Sequence, residues 1–265
     1  MNSDDTLMTM SQGPMKTFNR HIVMDPVHGA IGILNHERSV IDHPLFQRLR
    51  HVMQNDVLHM SFVGATHTRF AHSIGALHVA SRIFNQIIRS RMADMESENA
   101  ANLKITKAQE LAIAYFGQCL RLAILLHDSG HAAFSHQMES AACIQEMLSD
   151  PELPKTLWKG VDTSSFYDEL PESLHHEHYS IRAAHRILTD CEIHQFGFRV
   201  EDILSIMETT ADRPSEDFIK QAELAWPIFT CRSKTNGLSG QQKALHILQL
   251  LQKIVSGEFD ADKGD

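Results

Sequence analysis

An apolar run, Leu120 to Leu126 with only Arg121 polar, ends abruptly in His127-Asp128, and Gly130, His131 and His136 follow closely. An imidazole and a carboxylate at the end of a buried helix must find partners there. A divalent metal is the strongest partner open to both groups. The plain alternative is a helix end at which a His and an Asp are each satisfied by backbone. What favours a site is the company the pair keeps elsewhere in the chain.

The chain holds 18 histidines, and six of them fall in two short windows, 127, 131 and 136, then 175, 176 and 178. Earlier, Gly64-Ala-Thr-His-Thr-Arg-Phe-Ala-His-Ser-Ile-Gly75 sets Arg69 and His72 on neighbouring turns of one helix face. His72 could ligate a metal while Arg69 points at an anion beside it. Leu174-His-His-Glu-His-Tyr-Ser180 gathers three histidines around Glu177, a grouping suited to holding and moving protons near neutral pH. The C-terminal stretch Ile254 to Asp265 is rich in carboxylates. One of these could complete a His-His-Asp-Asp set with His72, His127 and Asp128, leaving coordination sites for water or substrate.

Composition narrows the classes. With 43% hydrophobic and 22% charged residues, the chain has the make-up of a globular protein able to bury a core. The net charge of −9 argues against general affinity for duplex nucleic acid, yet leaves room for a few cations in one pocket. Cys119, Cys143, Cys191 and Cys231 are dispersed, with no CxxC pair, as expected of reduced thiols in a cytoplasmic protein. No stretch reads as a signal peptide or as the run of about 18 apolar residues a membrane span needs.

These residues need elements to position them. Residues 1–17 read as a flexible leader, and Ile22 to Leu34, with turn residues at Asp25-Pro26 and His28-Gly29, reads as a β-hairpin. Helices are expected over 40–53, 70–92, from a Thr106 capping box towards His127, over 134–148, 175–189, 200–210, 215–225 and 238–255. Residues 149–173, with Pro151, Pro154 and Pro171, read as a long connection. The expected fold is all-α, a helical bundle with a small N-terminal hairpin, over residues 18–265 as one domain.

Taken together, these pieces resemble the HD-domain metal phosphohydrolases, in particular the branch of the SAM-and-HD-domain deoxynucleoside triphosphate triphosphohydrolases. The matching segments are Asp25-Pro-Val-His-Gly29, Phe46-Gln-Arg-Leu-Arg50, Gly64 to Gly75, His127 to His136, His176-Glu177 and Asp260-Ala-Asp-Lys263, in the family's order. The resemblance implies a divalent metal (Mn, Fe, Mg or Zn) held by His72, His127, Asp128 and Asp262. It implies catalytic roles for His131, His136, Glu139, His176 and Glu177, with Glu139 partnering His176, and substrate contacts from Gln54, Arg69 and Lys263. The implied reaction is hydrolysis of a phosphate ester or anhydride, with a nucleotide, a (deoxy)nucleoside triphosphate, as substrate. A homodimer is a further expectation.

Two departures stand out. Gln54 is followed by Asn55-Asp56-Val57 where the family has a small apolar residue and glycines, so selection for a 2′-deoxy sugar is not carried over. The family also continues beyond its Asp-Lys, whereas here only Gly264-Asp265 follow Lys263, so the chain is expected to be C-terminally short, with Asp260 as the alternative ligand. The competing reading is a non-catalytic or regulatory HD module that binds a nucleotide or a protein partner. A dinuclear site drawing on His131 and the 175–178 cluster is a third.

Overall fold

The computed structural model describes residues 20–98, 105–133, 141–164, 166–167, 169–171, 174–230, 237–257 and 260–264. The leader expected at 1–17 lies outside the described residues. The chain opens with an antiparallel hairpin, β1 (Arg20–Asp25) and β2 (Gly29–Leu34). Asp25 shapes the turn, its carboxylate accepting from the backbone N–H groups of Val27 and His28 at 2.8 Å each. Eleven helices follow among the described residues, so the fold is all-α apart from this hairpin.

The helix expected over 40–53 is instead three pieces: α1 (Asn35–Asp42), α2 (Pro44–Gln47) and a 3-10 turn (Arg48–His51). The break falls at His43, which is extended (φ −66°, ψ 136°) because Pro44 excludes the helical conformation from the residue before it. His43 then caps α2, its Nδ1 accepting from the Leu45 N–H at 3.2 Å. The long helix α3 (Arg69–Glu98) runs further in both directions than the spacing predicts. Its buried stripe includes Ile74, Leu77, Phe84 and Ile88. The capping box at Thr106 forms as expected, opening α4 (Lys107–Leu126).

Helix α4 is the centre of the bundle. From Cys119 to Leu126 no residue is more than 4% exposed, and α3, α8 (Val200–Met207) and α9 (Glu216–Phe229) pack against it. By length and composition alone, α4 is apolar enough to cross a bilayer, which corrects the expectation that no stretch is; 67% of its apolar 18-residue stretch is buried inside the protein. The expected connection 149–173 is likewise more structured than its prolines suggest. It holds α6 (Leu153–Leu157) and anchors Trp158 and Phe166 in the core. Of the helix expected over 134–148, α5 (Ala142–Leu148) is described, and 134–140 lie outside the described residues. Helices α7 (His176–Asp190), α10 (Gly240–Val255) and α11 (Ala261–Gly264) complete the order.

Arg121, the one polar residue in the apolar run, ties the hairpin to this core. Its guanidinium donates to both oxygens of Glu37 (2.5 and 2.8 Å), to the Gly32 carbonyl (2.9 Å) and to the Ser81 hydroxyl (2.5 Å). Glu37 also accepts from the Leu34 N–H at 2.8 Å, so the buried charges are bonded on every side. Replacing Arg121 by Met strands an ionised Glu37 in the core and should cost about 3–5 kcal/mol, read by urea denaturation. The double change Arg121→Met with Glu37→Leu should recover most of that loss, and a double variant as unstable as the single one would refute the account.

A second buried contact joins α4 to α8. The Tyr115 hydroxyl donates to Asp202 at 2.5 Å, and burial raises the Asp202 carboxyl above its ordinary range despite that bond. A folded-state pKa raised in this way contributes stability in full below the unfolded value of about 3.9, and the contribution is lost as pH rises through the folded value. The unfolding free energy of the wild type, measured against Asp202→Asn, should therefore fall as pH rises above the ordinary carboxylate range. A pH-independent difference would contradict this.

Candidate metal centre

His127 and Asp128 stand at the C-terminus of α4, where the helix dipole adds partial negative charge to the site. The His127 Nδ1 lies 2.6 Å from the Ile124 carbonyl, which can only accept, so Nδ1 carries the proton. The His127 Nε2 then faces Asp262 and Asp128, at 3.3 and 3.5 Å. The His72 Nε2, from the first turn of α3, lies 2.8 Å from the same Asp262 oxygen. One ligand atom from each of His72, His127 and Asp262 falls within 4.8 Å of the others.

This donor set fits a divalent ion. Two ligands at right angles around an ion with bonds of about 2.1 Å stand about 3 Å apart, close to the separations found here. The backbone bond that fixes the His127 ring is the outer-shell support that metal-binding imidazoles use. Asp128, expected as a fourth ligand, flanks this group rather than joining it: its Oδ1 faces the Nε2 atoms of His127 and His131 (3.5 and 3.4 Å), while its Oδ2 is paired with Arg69.

Electrostatics hold both carboxylates ionised. Burial opposes the charge on Asp128, but His127, His131 and Arg69 outweigh it and keep the group well below the usual carboxylate range. Hydrogen bonds from His127 and His72 do the same for Asp262. Burial disfavours a charged His127, yet Asp128 and Asp262 together raise its pKa. His131 goes the other way, its pKa lowered chiefly by burial, and its ring stacks on that of His176 at 4.2 Å between centroids. The His176 Nε2 is 3.3 Å from a Glu177 oxygen.

Of the residues expected to touch substrate, Arg69 donates to Asp128 Oδ2 at 2.5 Å and to the Gln54 backbone carbonyl at 3.4 Å. Gln54 is thus brought beside the centre, and its own side-chain oxygen is buried without a partner. Lys263 is not brought into the cluster; its ammonium pairs with Asp260 at 2.9 Å and its side chain is 63% exposed. Asp260, the alternative ligand, is occupied in a turn by the N–H groups of Gly257 and Lys263 (2.7 and 2.8 Å). His136 and Glu139 lie outside the described residues.

Sequence reading missed the residues that aim the His-Asp loop. Arg48 donates to the carbonyls of Ser129 and His131. Ser180, one turn past His176 on α7, accepts from the Gly130 N–H at 3.0 Å through its hydroxyl, while its carbonyl accepts from the Ser129 hydroxyl at 3.1 Å. The backbones are in such close approach that a Cβ on Gly130 would sit 2.0 Å from the Ser180 nitrogen. Only the spacing of Gly130 from Asp128 hinted at this contact.

The fold is an all-α helical bundle with this His/Asp cluster at its heart. No family model matches the chain. Relatives nonetheless do. The deoxynucleoside triphosphate triphosphohydrolase SAMHD1 of Danio rerio is 34% identical over 167 residues, 63% of this chain and 22% of that protein. That of Gallus gallus is 36% identical over 125 residues, 47% of this chain and 17% of its own length. An uncharacterised protein of Methanocaldococcus jannaschii is 31% identical over 127 residues, 48% of this chain and 22% of its own. The chain is thus related to the HD-domain deoxynucleoside triphosphate triphosphohydrolases, and the matches span under a quarter of each of these relatives.

Gly130→Ala tests the loop geometry. The added methyl has backbone, not a flexible side chain, in its way. The variant should lose about 1–3 kcal/mol of stability. It should also bind Mn2+ more weakly, followed by calorimetric titration, because the His127–His131 segment must move. Undiminished metal affinity at wild-type stability would show that the close approach does not set the site.

Proposed function

We propose that the chain is a metal-dependent phosphohydrolase acting on nucleotides, with a (deoxy)nucleoside triphosphate as substrate and nucleoside and tripolyphosphate as products. The observation that carries this reading is the convergence of His72, His127 and Asp262 beside the buried Asp128. The relatives named above for that activity support it. Bound there, a divalent ion would supply positive charge for a phosphoryl oxygen and acidity for water.

The chain's own residues divide the remaining work. Arg69 holds a guanidinium beside Asp128 and neutralises charge that develops on the phosphoryl group. His131, buried and bonded to Asp128, keeps the His176 ring in register by stacking on it. His176, with Glu177 beside it, is the group to deliver a proton to the departing sugar oxygen. Water adds to phosphorus, the bond from phosphorus to the sugar oxygen breaks, and that oxygen takes the proton. Burial of Asp128 and His131 limits bulk water around these groups.

Product analysis with a panel of dNTPs and NTPs, with Mn, Mg, Fe or Zn added, tests the reading. Nucleoside and tripolyphosphate should appear only with metal, and Asp128→Ala should bring turnover to background. Release of monophosphate or orthophosphate would move the activity to another HD branch. Metal bound at His72 and His127 with no turnover of any nucleotide would overturn the enzyme reading in favour of a nucleotide-binding module.

A further inference from the structure

The metal centre opens into a cavity of about 420 Å3, and the first turn of α7 with His175 before it, as far as His178, forms part of its wall. His176 and Glu177 carry the proton chemistry proposed above, so whatever fixes this turn fixes their aim. The turn is closed by His178. Its Nδ1 accepts from the backbone N–H of His175 at 2.9 Å, while its backbone N–H donates to the His175 carbonyl at 3.1 Å. The first of these bonds is the return half of a capping box, with an imidazole in place of the usual glutamate or glutamine.

That exchange changes the chemistry. An imidazole accepts only while it is neutral; once protonated, both nitrogens donate, and the His175 N–H then meets a donor. A cation in the first turn is also opposed by the helix dipole. The ring is half-buried, with the Tyr167 ring 6.0 Å and the His175 ring 5.9 Å away between centroids. Tyr167 in turn packs on Trp158 and Phe166 (5.6 and 4.9 Å), so the proline-rich connection helps to confine His178. The titratable and charged groups facing His178 are Glu208 at the end of α8, Tyr167, and His175, His176 and Glu177 beside it in sequence. Burial lowers the His178 pKa; Glu208 and Glu177 oppose that effect, and His175 and His176 add to it. Tyr167 stays a neutral phenol, because burial and then the Glu208 carboxylate raise its pKa.

We propose that His178 is a positioning residue for His176 and Glu177: its neutral imidazole locks the first turn of α7, and its protonation releases that turn. The effect on catalysis rests on the hydrolase reading above; the effect on the turn does not. Release moves the His176 ring off its stack on His131.

Two substitutions separate the acceptor from its titration. His178→Gln keeps an acceptor that does not titrate, and His178→Ala removes it. With Mn2+ and a nucleoside triphosphate, His178→Ala should lower kcat about tenfold at neutral pH, the scale of one helix cap, with KM unchanged. His178→Gln should restore kcat there, and the acid limb of its pH profile should lie at lower pH than that of the wild type. The turn is also read without turnover, with Zn2+ as a diamagnetic ion. The imidazole NMR signals of His131 and His176, which sense each other's rings, should shift in His178→Ala and hold in His178→Gln. The unfolding free energy of the wild type relative to His178→Gln should fall as pH drops below about 6.5, because a lowered folded-state pKa lets the unfolded chain bind the proton first. Wild-type rate and signals in His178→Ala, a His178→Gln variant no better than His178→Ala, or identical acid limbs in wild type and His178→Gln would each overturn the proposal. No turnover of any nucleotide, with the NMR pattern as expected, would defeat the hydrolase reading and leave the role of His178 standing.

Discussion

A carboxylate held ionised almost out of reach of water is the constraint on which this structure turns. Asp128 is 5% exposed, and an unpaired charge so placed would be prohibitively costly. The protein offsets that cost from several directions at once. Arg69 comes from α3, His127 from the same turn as Asp128, and His131 from the loop beyond it. Asp262 then adds a second carboxylate beside His72 and His127, so two acids crowd one guanidinium and the imidazoles. That excess suits a divalent cation, and the dipole at the C-terminus of α4 adds to it.

The rest of the bundle can be understood as the means of keeping that cluster in place. Helix α4 is apolar because its whole surface near Asp128 is core, and the tightness of that core fixes where the helix ends. The loop after it has no regular structure to stiffen it, so its backbone is bound from outside. Arg48 holds two of its carbonyls, and the meeting of Gly130 with Ser180 joins it to α7. Because α7 also carries His176 and Glu177, that one contact links their position to that of the His72, His127 and Asp262 cluster. The far-off Arg121–Glu37 pair serves the same end less directly, by fixing the hairpin and α1 to the helix that bears the site.

Charge is distributed along the cavity with a consistent logic. Arg69 stands at Asp128, and the cavity beyond is lined by carboxylates, imidazoles and a few apolar side chains. The two cations that the family resemblance marks for phosphate are already engaged here, Arg69 with Asp128 and Lys263 with Asp260. Arg69 remains at the centre despite its partner; Lys263 does not, because Asp260 draws it into the terminal turn.

The sequence by itself determined the elements and most of the site's membership. The hairpin follows from turn residues between apolar runs, α3 and α10 from helical periodicity, and α4 from its capping box. His72, His127 and Asp128 were legible because histidines and a carboxylate at helix ends are costly there without a purpose. Local pattern failed where one residue's backbone overrode it, as at His43 before Pro44, and where long-range packing ordered a proline-rich stretch around Trp158 and Phe166. Only the tertiary structure decided that Asp262, not Asp260, joins the imidazoles, since both are acids two residues apart and the difference lies in which faces α3. It alone also revealed Arg48 and Ser180, whose roles depend on partners 50 or more positions away. Spacing along a chain carries information about one helix face; contacts between faces arise from packing, which no single segment encodes.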